Sequence, residues 1–551
     1  MPPLPKLAGN LTKKQAAHLL RRATFGPSQE DISEFTNISV DEALDKLFTD
    51  QPVPDPPVDP GTGLTWLTPR SLPGADQEKL IDYYISWHLE QMLKSGTGIK
   101  EKITFFFHSH LPTRRSLIEE SEAIYYQNTL FRYYAFGSFK ELFKRICIDN
   151  AMLIYLDGYT NENSSPNENF AREMFELYSV GRGEQVSVGN YTNYTEDDIK
   201  AATRLLTGWT NDDTYTNIDP VTGIPTGILQ TVTSGSYQLA NKHDPDTKQF
   251  SSAFGNNTIA PETIIDGYAT DEAAMGELDG LIDMIFDQDA TAQFITRKIY
   301  RHFIYHQVNE TIVNQLAENF KASDYNMETM LRELLGSEHF FDSDNTITDD
   351  DNKGALIKSP VELILGTIRA FNIEIDNIST NPSVIYNREY IPGILECIYR
   401  QGLDFYEPFE VAGYPAYHQF PGYNRNWITP HTLAYRYMFA DLIIDGVNHE
   451  GETLGFQLNI LNWIQDSNHI SDPSNAEQLV NELLEFLVPF QVSTERRDYF
   501  LNDIFLSGTY ASAWAAEWAT FISNGSNEAT IRQRLEALLR SVMKSPEYQL
   551  C

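Results

Sequence analysis

The sequence predicts a mainly α fold, a large multi-helix body with a small β-hairpin or ribbon insert near 210–260. Three observations carry that prediction. Apolar residues recur at spacings of three and four through most of the chain, the signature of helices that bury one face. From Thr210 to Ala260 that period gives way to Thr, Ser, Gly and Asn, with alternation in ILQTVTSGSYQL at 228–239, which is hairpin patterning. The third is length: 551 residues exceed what one core usually serves, so one large body with an inserted lobe, or two domains, is expected.

Taken in order, residues 1–51 should form N-terminal helices. PVPDPPVDPGTG at 52–63 is too rich in proline for a helix interior, so 52–75 reads as an extended connector. Residues 76–209 form a helical core with a candidate polar site. Its first helix is clearest, because Ile81, Ile85, Leu89 and Met92 make one apolar stripe between Gln77 and Lys94. Similar stripes run through 116–136, 262–287, 290–307, 357–372, 476–488 and 527–543, so 261–551 should be a second helical region.

Ser165-Pro166-Asn167-Glu168 carries a capping serine, proline at the first helical position and glutamate at the third, which predicts a helix start there. On that helix the apolar residues fill an arc of about 160°, while Asn169, Glu173 and Glu176 share a strip about 60° wide. Two carboxylates projecting together suit metal ligation or acid/base work. The plain alternative is a solvated face on which Glu168, Arg172 and Glu176 pair at i,i+4 spacing.

FFFHSHLPT at 105–113 sets His108 and His110 two apart. In a helix they would point about 200° apart, whereas an extended segment returns them to one face. Pro112 predicts a helix end near Ser109 or Leu111, so a non-helical His-Ser-His could offer both imidazoles to zinc, iron or manganese. Helix C-terminal histidines that complement the dipole are the alternative. In NKHDPDTK at 241–248, His243 and Asp244 are a second imidazole-carboxylate pair, or an ordinary Asp-Pro turn. His302 and His306 share a helical face without an acid in reach, which reads as packing. In the loop 413–432, Tyr414, Tyr417, Tyr423, Arg425 and Trp427 are candidate ligand-binding residues, or a lid over the core.

The charge balance excludes some partners. Against 77 Asp and Glu stand 41 Lys and Arg, a net charge of −36 that repels nucleic acid and anionic lipid. No apolar run is long enough to span a membrane, and no secretory h-region is present. The three cysteines show no metal or disulfide spacing. GxSxG, GxGxxG, GxxxxGK[ST] and HExxH are all missing, so no nucleotide cofactor is expected. The acidic run 342–354 fails as a calcium loop, since neither register puts glycine and ligands where they are needed.

Several stretches together resemble the bacterial family catalogued as domain of unknown function 1800. They are HLLRRATFGPS at 18–28, EKITFFFHSHLPT at 101–113, FGSFKELFKRICIDNAMLIYLDG at 136–158, PNENFAREMFELYSVG at 166–181 and YTEDDIKAATRLLTGWT at 194–210, followed by KHDPDTKQF at 242–250, IKSPVELILGTIRAF at 357–371, VAGYPAY and WITPHTLAYR within 411–436, and SPEYQ at 545–549. The family's FWHNHF stands here as FFHSHL, and its VAGW as VAGY with a longer aromatic loop. The resemblance implies export, and a neighbour of the alkaline-phosphatase superfamily as a partner, but no established reaction. The leading expectation is a divalent-metal-dependent hydrolase or oxidase in which His108, His110, His243, Asp244, Glu173 and Glu176 converge and Arg172 orients a glutamate. The alternative is a non-catalytic surface or assembly protein that binds glycan or a protein through the aromatic loop, its polar motifs serving as buried networks.

Overall fold

Capped helices pack around one continuous hydrophobic cluster that runs from Leu4 to Tyr548. The computed structural model describes residues 2–67, 76–342, 356–375, 393–446, 456–466 and 469–551. The fold is mainly α, with small hairpins. The helix Gln77–Lys94 has the predicted bounds, with Asp76 as its cap. Thr12, Ser28, Ser39, Thr195, Ser359 and Thr429 each close a reciprocal capping box. Six helix starts are thus written locally, in a hydroxyl followed three residues later by a side chain that reaches back.

The β-rich stretch forms separate two-stranded antiparallel pairs, not one ribbon. The alternating segment pairs Val232–Ser234 with Tyr237–Leu239, and others pair Trp209–Thr210 with Ile228–Leu229 and Lys248–Gln249 with Thr258–Ile259. Among the described residues no helix is long and apolar enough to cross a membrane. The acidic run lies outside the described residues beyond Asp342.

Two local expectations are corrected. The helix forecast at Ser165 begins at Asn169, because Ser165 instead bridges to Glu162 and Asn167 Oδ1 accepts from the Asn169 N–H at 3.0 Å. The helix through the histidines does stop before Pro112, but it spans Lys100–His110 and so contains both. His108 and His110 therefore leave on nearly opposite sides.

Close backbone approaches then join motifs far apart in sequence. At Gly413, φ is +98° and a Cβ would lie 2.8 Å from the Ser109 carbonyl, so only a glycine lets the aromatic loop settle on the end of Lys100–His110. At Gly26 a Cβ would lie 2.7 Å from Gly366 Cα, which seats the helix Pro360–Ala370 against the N-terminal motif. The helix Asp289–Phe303 packs against both Lys100–His110 and Pro415–His418.

Candidate functional site

The sequence-predicted ligands are dispersed. His108 is fully buried, its Nε2 3.2 Å from the Tyr414 hydroxyl, which also accepts the Tyr406 N–H at 3.1 Å. Around it Tyr406 Oη lies 2.6 Å from Tyr84 Oη and 2.8 Å from His88 Nδ1, and Arg132 holds Glu101 through two hydrogen bonds. Burial pulls the His108 imidazolium down to about 3, so this ring is neutral within an aromatic network. Tyr414 belongs to that network rather than to an open surface.

His243 and Asp244 form a second, saturated knot. His243 Nδ1 donates to the Thr207 carbonyl at 2.9 Å, and its Nε2 lies 2.6 Å from Glu277 Oε2. Lys248 Nζ donates to the other Glu277 oxygen at 2.6 Å, and all three side chains are fully buried. Asp244 accepts twice from Arg204, at 2.7 and 3.1 Å, while its own N–H donates to Thr207 Oγ1 at 2.8 Å. Gly208, at φ +87°, makes room for the His243 backbone. LTGWT and KHDPDTKQF thus lock onto each other.

The carboxylates of the helix Asn169–Glu173 and the π-helical turn Met174–Tyr178 stay close enough for their charges to interact, but they take separate partners. Arg172 pairs with Glu168 and Glu196, while Glu176 pairs with Arg182 and accepts from the Tyr194 hydroxyl. Glu173 is half-buried, and loss of water together with the Glu176 charge pushes its carboxyl up to about 7. Among the described residues, one group of three metal-capable side chains has ligand atoms within 4.8 Å of one another: Glu30, Asp466 and His469. None of the six expected ligands is in it.

A different pocket gathers polar groups without partners. Its floor is the end of Lys100–His110 and the C-terminal part of Asp289–Phe303; its roof is the aromatic loop. Phe106, His110, Lys298, Arg301, His302, His306, Glu362, Tyr417, His418, Tyr423, Asn424 and Trp427 are among its lining residues. From the predicted set it brings together His110, Tyr417, Tyr423 and Trp427; Arg425 is exposed outside it. Eight buried side-chain atoms here have no hydrogen-bond partner: His110 Nδ1, Arg301 Nε, both nitrogens of His302, His306 Nδ1, His418 Nε2, and both polar atoms of Asn424.

The geometry has a local origin. A helix leaves its last carbonyls without backbone partners. At the π-helical turn these are Leu177 O, which accepts from Lys298 Nζ at 3.0 Å, and Tyr178 O, which accepts from His110 Nε2 at 3.1 Å. That bond puts the His110 proton on Nε2 and leaves Nδ1 as a bare acceptor. FELYSVG therefore orients two pocket residues through its backbone.

Charge decides what each group can do. Burial pulls the His302 imidazolium down to about 3, which makes that ring a poor base near neutrality but a good donor and acceptor. Burial and the neighbouring Arg301 pull the Lys298 ammonium from 10.5 to about 7. Glu362 is already held by Lys102 and by the Ser359 N–H, so it is not free for ligand. Its carboxyl lies at about 2 because, against the upward pull of burial, Lys102 favours the charged form. Sequence reasoning treated His302 and His306 as packing and passed over Lys298 and Arg301. The available signal was RKIYRH at 297–302, four basic side chains on one partly apolar helix in an acidic chain.

No curated protein and no solved structure matches the chain. A family model matches residues 18–550, nearly the whole length, and the chain belongs to the family it describes, Protein of unknown function (DUF1800).

Proposed function

We propose that this protein binds a small polar molecule in the pocket between the helix Asp289–Phe303 and the aromatic loop. The observation that supports the reading is the eight unpartnered atoms gathered at one cavity. A buried donor or acceptor left unmade costs about 1–3 kcal/mol, so a fold keeps such a cluster at a real loss of stability. Something that enters the cavity and completes the hydrogen bonds removes that loss. The cavity volume is about 40 Å³, room for about three waters or one small polar group. Phe106, Tyr417 and Trp427 supply the apolar part of the wall around that group.

The test is a thermal-shift screen of small polar compounds against the native protein and a His302→Phe/Asn424→Leu variant. Compounds that stabilise the native protein and leave the variant unmoved are expected. A screen in which no compound separates the two proteins would contradict the proposal.

A further inference from the structure

We infer that the molecule taken by this pocket is an anion, whose carboxylate or phosphate group is held between Lys298 and Arg301. This rests on the pocket reading above and adds the ligand's chemical class. Carboxylates outnumber cations nearly two to one in this chain, 77 against 41, and most described cations near them are paired. Lys298 and Arg301 are not. Lys298 Nζ reaches a backbone carbonyl, Leu177 O, and a position 5.0 Å from the Phe294 ring. Arg301 lies over the Tyr423 ring at 4.6 Å and its Nε has no acceptor. Among the described residues neither forms an ion pair.

The nearby acids are occupied elsewhere, Glu410 among them, whose carboxylate stands 3.8 Å from His418 Nε2. Glu310 is engaged by Arg297 at 2.8 Å, one helical turn away, and Glu362 by Lys102. Two cations one turn apart on the same helix face repel each other and lose water together. A dedicated counter-charge is therefore missing from the protein side, and an anionic ligand supplies it. The overall charge of −36 does not oppose this, because a half-enclosed pocket feels the two adjacent cations far more than exposed acids more than a Debye length of about 8 Å away. Arg301 offers a planar fork and Lys298 a point charge, so both planar carboxylate and tetrahedral phosphate can be met.

Isothermal titration with inorganic phosphate, with acetate and with uncharged acetamide separates the possibilities. Saturable one-to-one binding of at least one anion is expected, weakened about tenfold or more in Lys298→Met and largely kept in Lys298→Arg. Whichever of phosphate and acetate binds more tightly identifies the head group. If neither anion saturates while uncharged compounds still separate native protein from the His302→Phe/Asn424→Leu variant, the pocket stands and the anion is wrong. If anions bind equally well to native protein and Lys298→Met, the inference also fails.

Discussion

The histidine-centred polar clusters around His243 and around His302 differ in one respect. Around His243 every polar atom is answered: the imidazole by Thr207 and Glu277, the Lys248 ammonium by Glu277, Asp244 by Arg204. Around His302 they are not, and both ring nitrogens lie buried without partners. Saturation marks structure, because a completed network leaves nothing for a ligand to add. Unanswered polar atoms mark a candidate site. Both clusters carry family motifs, so motif content alone would have treated them alike.

The largest effect should come from breaking the saturated cluster. Glu277→Ala strands His243 and Lys248 in the interior, and should cost about 3–5 kcal/mol in chemical denaturation. If the two clusters are as separate as their partners suggest, compounds that bind near His302 should bind the folded fraction of this variant unchanged.

A smaller loss is expected where the roof meets the floor. Gly413→Ala forces an alanine into φ +98° with its Cβ 2.8 Å from the Ser109 carbonyl, a cost of about 1–2 kcal/mol from the left-handed backbone alone. Affinity for pocket ligands should fall with it, whereas Gly208→Ala, at the other cluster, should lower stability without touching affinity. Equal losses of affinity in both would erase the distinction.

The smallest effect is a slope with pH. The folded state holds Lys298 protonated only below about 7, whereas an unfolded lysine holds its proton to about 10.5. Between those values the unfolded chain binds the extra proton, so ligand-free stability should rise with pH there. Arg301 faces the same ammonium and reinforces the effect, whereas His110 and His418, both pulled below the ordinary histidine value, stay neutral across that range. Lys298→Met should flatten the slope in denaturation midpoints measured from pH 7 to about 10, and an unchanged slope would place the titration elsewhere.

Much of the fold was legible because its signals are local. The apolar stripe of Gln77–Lys94 and the hydroxyls of the capping boxes depend on neighbours within one or two turns. Within the alternating segment, Val232–Ser234 likewise pairs with the nearby Tyr237–Leu239. The site was less legible because its groups meet only through tertiary approach. His110 reaches the pocket because a helix continues one turn further than an extended His-Ser-His would need, and Lys298 because a π-helical turn leaves Leu177 O facing it. The aromatic loop was recognised as a candidate, since unusual composition is itself local. What it covers was not, because Asp289–Phe303 lies more than a hundred residues upstream.

The pocket beneath the aromatic loop is proposed to take an anion between Lys298 and Arg301. A crystal structure of the protein soaked in phosphate and, separately, in acetate tests it most directly. Density for the anion is expected within hydrogen-bond distance of Lys298 Nζ and the Arg301 guanidinium. Ordered waters that satisfy His302, Asn424 and Arg301, and that neither anion displaces at saturating concentration, would contradict it.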